Sequence, residues 1–188
     1  PDAVASLTRG VAAALSGKGA DAEIEFKLLE QQYPQYAEAS YDLGIVARNA
    51  GELDVAADAL RRATERAPNR AEDWDQLGLA LRLAGRFSEA RAAYDRATQV
   101  APDYAPAHRN LAVLLDVYLG DAGAALPEFE RYQQLVGESK QLSGWLAEVR
   151  RRANPKGPAA TEAAAGAGAD ATTPASTPVP APAQGAQP

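Results

Sequence analysis

AEDWDQLGLALRLAGRFSEARAAYDRATQVAPDY, residues 71–104, is the stretch whose reading decides the fold. Its apolar residues fall in two blocks at helical spacing, parted at Gly85 and closed by Pro102, which reads as helix–turn–helix. Moving upstream, Pro34 and Pro68 precede Pro102 at intervals of 34 residues. Gly17, Gly51 and Gly85 keep the same interval, as do Gly10, Gly44 and Gly78, and Ala22, Ala56 and Ala90. Several residue types repeating in one register signal a single supersecondary unit stacked on itself.

Within the quoted stretch, Trp74, Leu77, Gly78, Leu81, Ala90, Tyr94, Ala97 and Pro102 carry the residue types of a known pattern. On these residues the segment resembles the tetratricopeptide repeat. The resemblance implies an all-α, right-handed α-solenoid of helix–turn–helix repeats, an architecture for holding other proteins. The units are expected at about 3–36, 37–70, 71–104 and 105–138. A capping helix follows at about 139–152, and then a disordered tail, 153–188.

Taken in order, unit one pairs a helix from Asp2, placed as N-cap, to about Ser16 with one at about 20–32. It departs from the pattern, with Ser6 for Trp and Arg9 for Leu, as terminal repeats often do. Unit two pairs helices at about 37–50 and 53–66. Unit four begins in register, but Gly120 comes 35 residues after Gly85, so one residue is inserted before the turn. Its second helix, about 122–136, contains Pro127, which lacks an amide proton and crowds the carbonyl of Gly123. A late start or a kink is expected there. The last helix carries Leu142, Trp145, Leu146 and Val149 on one face, as a cap over the solenoid's open end should. Trp145 is read as a packed cap residue, and Arg150, Arg151 and Arg152 as complements to the helix dipole. Beyond Asn154 the chain turns to Ala, Pro, Gly and Thr. Such a composition cannot bury enough surface to offset its ordering entropy.

Composition excludes several classes. With no Cys and one His, there is no disulfide, no thiolate nucleophile and no histidine metal cluster. A formal charge of −6 argues against nucleic acid. No apolar run is long enough for a membrane span. The Asp and Glu residues recur with the repeat, Gly17-Lys18-Gly19 lacks a phosphate-loop pattern, and Ser143-Gly144 sits inside a helix. The expectation is a non-enzymatic protein without cofactor or metal. The sequence begins at Pro1 rather than Met, which leaves a preceding leader or anchor open.

The resemblance implies that the first helix of each pair lines the concave surface. The places left to face that groove hold Glu38, Tyr41, Asp42, Ile45, Arg48 and Asn49 in unit two. Unit three places Glu72, Asp75, Gln76, Leu79, Arg82 and Leu83 there, and unit four Pro106, Arg109, Asn110, Val113, Asp116 and Val117. The ninth place is aliphatic throughout (Val11, Ile45, Leu79, Val113), where the family commonly has Asn. This apolar ladder suits an amphipathic helix or extended peptide. Packing against the neighbouring first helix is an equal alternative. The family's carboxylate clamp for chaperone tails is not met. Leu7 and Val11, or Tyr41 and Ile45, stand where Lys and Asn are needed, followed by Asp42 or Gln76, and Asn110 is an isolated match.

The partner expected is therefore a protein segment. The alternatives are self-association as a homodimer and a regulatory subunit of an enzyme complex. The fourth unit and cap also resemble the C-terminal part of small bacterial repeat proteins of the cell envelope. That resemblance implies a periplasmic or envelope setting, with the cytoplasm as the alternative.

Overall fold

The computed structural model describes residues 3–154. Among them every regular element is helical. In chain order these are α1 (Ala3–Leu15), α2 (Gly19–Gln32), α3 (Ala37–Ala50), α4 (Leu53–Arg66), α5 (Ala71–Leu83), α6 (Phe87–Val100), α7 (Ala105–Val113), α8 (Ala122–Val136) and α9 (Lys140–Ala153). The end of α7 continues as a π-helical turn, Leu114–Tyr118. Each odd helix packs on the even one after it, and each even helix on the next odd one. The result is the right-handed helical solenoid that the resemblance implies. The N-cap assigned to Asp2 and the tail assigned to 153–188 lie, beyond Asn154 for the latter, outside the described residues.

Two glycine registers explain why the units form as they do. Gly51 ends α3 at φ 85°, and its amide bonds back to Ala47 and Arg48 carbonyls. Glu52 then returns to Ala47 at 2.9 Å. This left-handed ending is open to Gly without a Cβ penalty, and Gly17 and Gly85 repeat it. The second register sets helix separation. A Cβ built on Gly10, Gly44 or Gly78 would fall 2.5–2.6 Å from Phe26, Leu60 or Tyr94 respectively. The missing side chain in the first helix makes room for the large one in the second. Ala22, Ala56 and Ala90 are fully buried at the same crossings.

Unit four shows how the extra residue is accommodated. The turn does not lengthen. Instead the last stretch of α7 widens, and the Leu119 amide bonds five residues back to Leu114 at 3.0 Å. One residue inserted in a helix commonly appears as such a π turn. Phe129 then takes the buried place of Tyr94, while Tyr132 is only partly buried where Ala97 is fully so. The late start expected at Pro127 does not occur. The Asp121 side chain accepts from the Ala124 amide at 2.9 Å and starts α8 at Ala122.

The cap behaves as expected of a solenoid end. The Ser139 hydroxyl accepts from the Leu142 amide at 3.2 Å, and Leu142, Leu146 and Val149 are buried in the main core. Trp145 lies at the margin of that face, 41% exposed. The arginines do more than complement a dipole. Arg150 pairs with Glu130 at 2.8 Å, Arg151 with Glu148 at 2.7 Å, and Arg152 with Asp116 at 2.7 Å.

Candidate functional site

Helices α1, α3, α5 and α7 stand side by side as one wall, and side-chain bonds stitch α3 to α5 and α5 to α7 with its π turn. The Tyr41 hydroxyl donates to Glu72 at 2.7 Å. Arg48 donates to Gln76. The Asn110 amide donates to Asp75 at 2.8 Å, and Arg82 donates to the Tyr118 hydroxyl at 2.8 Å. These bonds join residues 28–36 apart in sequence, so they fix the pitch of the stack. Polar side chains of the predicted groove thus serve first as cross-links.

Two predicted contact residues are withdrawn from the surface. Asp75 is 1% exposed. Burial pushes its carboxyl up to about 6, against the Asn110 hydrogen bond and the nearby Arg109 and Arg48. Asp116 sits in the π turn, 9% exposed, with both oxygens facing the Arg152 guanidinium. The expectation that Asp75 and Asp116 touch a guest is corrected: both are inside the wall, and the second is taken by the molecule's own cap.

The other predicted residues remain at least partly open. Tyr41, Asp42, Ile45, Arg48, Gln76, Leu79, Arg82, Arg109, Asn110 and Val113 are half-buried, and Asn49, Leu83 and Val117 are exposed. Arg109 has no hydrogen bond or ion pair among the described residues, and neither has Asp42. Burial raises the Asp42 carboxyl to about 6, helped by Glu38 and Glu72 and opposed by Arg70.

The apolar ladder is only half available. Val113 packs against the main core, and Ile45 and Leu79 are half sunk, which leaves Val11 as the exposed rung. A second row stands clear one turn further along units one, three and four, with Asn49 at that place in unit two. Leu15 is 84%, Leu83 50% and Val117 49% exposed. Leu15 was legible by counting the same place in unit one. The pattern in that unit is degenerate, and Val4 on the same helix is exposed as well. Arg152 could not have been found by counting places, because it lies outside the repeats.

Comparison with known proteins places the fold. A family model described as Tetratricopeptide repeat matches residues 7–71, and a second of the same description matches 71–114, together more than half of the chain. No curated protein sequence matches. Among solved structures, a mutant O-GlcNAc transferase of Thermobaculum terrenum is 28% identical with a TM-score of 0.62, covering 70% of this chain and 26% of its own. The chain therefore spans about a quarter of that transferase, over helical repeats alone. MamA of strain AMB-1 is 25% identical with a TM-score of 0.63, covering 76% of this chain and 78% of its own. A further MamA structure covers 90% of this chain and 98% of its own at 19% identity and a TM-score of 0.67, a likeness of fold. No helix among the described residues is long and apolar enough to cross a membrane. The paired helices, their 34-residue glycine registers and the two family matches make this chain a member of the tetratricopeptide-repeat family, a protein-interaction scaffold by its fold.

Proposed function

We propose that the chain is a non-enzymatic scaffold that receives a peptide or helix of another protein along the wall of α1, α3, α5 and α7. One observation carries this reading: the same place in units one, three and four leaves Leu15, Leu83 and Val117 in water. Around them, most polar groups are spent on cross-links. Exposed apolar side chains spaced along one wall are anchors in want of pockets or partners. Val11 and the half-buried Ile45 and Leu79 extend that strip. An envelope setting belongs to the same proposal, on the resemblance of the fourth unit and cap; recovery of the native protein wholly in the cytoplasmic fraction would remove it.

Panning a random peptide library on the chain tests the groove. Peptides with spaced apolar residues should be enriched, and Leu83→Asp should weaken their capture about tenfold, the effect of losing roughly 1.4 kcal/mol. Leu83 is half in water, so helicity by circular dichroism should not change. Unchanged capture in Leu83→Asp would end the proposal. So would light scattering that showed a dimer dissociated by the same substitution, since the occupant would then be a second copy.

A further inference from the structure

At the junction of units two and three, one guanidinium is shared among three carboxylates, Glu38, Asp73 and Asp42. Arg70 leaves the loop before α5 and reaches Glu38 at 3.3 Å and Asp73 at 3.4 Å. Its guanidinium lies 5.5 Å from the centre of the Tyr41 ring, and the Tyr41 hydroxyl is committed to Glu72. Asp42, next along α3, is half-buried and has neither hydrogen bond nor ion pair among the described residues. Asp73 is fully buried, and neither of its oxygens has a hydrogen-bond partner. Its approach to Arg70 is ionic and not a hydrogen bond. Among the described residues, Arg70 is the one cation whose field offsets Glu38 and Glu72 at both Asp42 and Asp73.

A carboxylate withdrawn from water without a partner is costly, and the usual remedy is a paired cation or a captured proton. Among the described residues, no three acidic or histidine side chains stand close enough to hold a metal ion. The deficit therefore suits a long cation with several donors. We propose that this junction receives an arginine or lysine side chain from the segment lying in the groove, seated beside Arg70 and answered by Asp42, Glu38 and Glu72. The inference rests on the groove reading and adds the chemistry of the guest: apolar anchors with a basic residue toward the unit-two end. An arginine fits best, because its planar fork can face two carboxylates at once.

The test needs no natural partner. Acetyl-arginine amide is titrated into the isotope-labelled full chain at low salt, with acetyl-glutamine amide as the control, and backbone amide shifts are followed by NMR. Saturable shifts confined to residues 38–42 and 70–76, absent with the glutamine compound, are expected. In Asp42→Asn combined with Glu38→Gln the affinity should fall about tenfold. Among the described residues Asp42 has no partner to lose and Glu38 loses only an exposed ion pair with Arg70, so folding is not threatened. Shifts scattered over the surface, equal for both compounds, or unchanged in the double variant would overturn the inference. Peptide capture without any arginine response would leave the groove standing and remove only this junction.

Discussion

Two junctions in the solenoid each take acidic side chains out of water, and they treat them in opposite ways. Between unit four and the cap, Asp116 meets Arg152 of α9, with one nitrogen 2.7 Å from one oxygen and another donating to the second at 2.8 Å. Between units two and three, Asp42 and Asp73 are left with Arg70 alone, which Glu38 also claims. The first junction is closed by the molecule itself and is architectural. The second is short of positive charge, on a wall where α3, α5 and α7 are otherwise cross-linked by their polar side chains. What separates them is how fully the cation answers: Arg152 covers both oxygens of Asp116, whereas Arg70 is shared with Glu38 and stops at ionic distance from Asp73.

If the closed junction depends on α9, detaching that helix should be the most damaging change. Leu146 is 1% exposed within the main core, so Leu146→Ala should cost about 3 kcal/mol, read from urea unfolding. Hydrogen exchange should show protection lost first in α9. Equal loss throughout the stack would mean that the cap and the repeats form one cooperative block. Removing only the charge should cost less. Arg152→Ala leaves Asp116 buried and unanswered, but the arginine is 41% exposed on its side chain, so a loss of about 1–2 kcal/mol is expected. A loss within error would show that the pair contributes nothing to holding the cap.

The sequence showed the architecture readily because the repeat fixes it twice over. Only Gly sits easily at the positive φ of Gly51, and only Gly admits Tyr94 beside Gly78. Helix ends therefore fell within a residue or two of their predicted places. The one-residue shift at Gly120 was also legible, but its form was not. A register count cannot tell a longer loop from a widened helix, and the choice lay with packing around Leu114 and Leu115, both buried. The wall was half legible. Counting places says which side chains point inward, whereas it says nothing of which find partners on the next helix. Asp75 was lost to Asn110 in this way, and Asp116 to an arginine 36 residues on.

The smallest effect separates the junctions by pH. Burial raises the Asp42 and Asp73 carboxyls to about 6, from an ordinary value of 3.8, with Glu38 and Glu72 adding to it and Arg70 opposing. Asp75 behaves alike, through burial. A carboxyl whose folded value is raised takes its proton more tightly in the folded state, so its stabilising share is complete below about 3.8 and is lost as pH rises through about 6. Glu30 works the other way. Burial would push it up, but Arg62, Ser40 and Arg66 hold it down at about 2, so its share is present above 4.5 and is lost as pH falls toward 2. Stability should therefore increase as pH drops from 7 toward about 4, and decline only at lower values, where the aspartate gain is complete and the Glu30 share is being lost. Asp42→Asn should raise stability at pH 7 by about 1 kcal/mol and flatten the gain toward pH 5, whereas Arg152→Ala should leave that slope in place. Thermal melts of the three proteins at pH 5 and pH 7 decide it. A wild-type midpoint no higher at pH 5 than at pH 7 would mean that the acidic junction already has its counter-charge, and the contrast between the two ends of the wall would disappear.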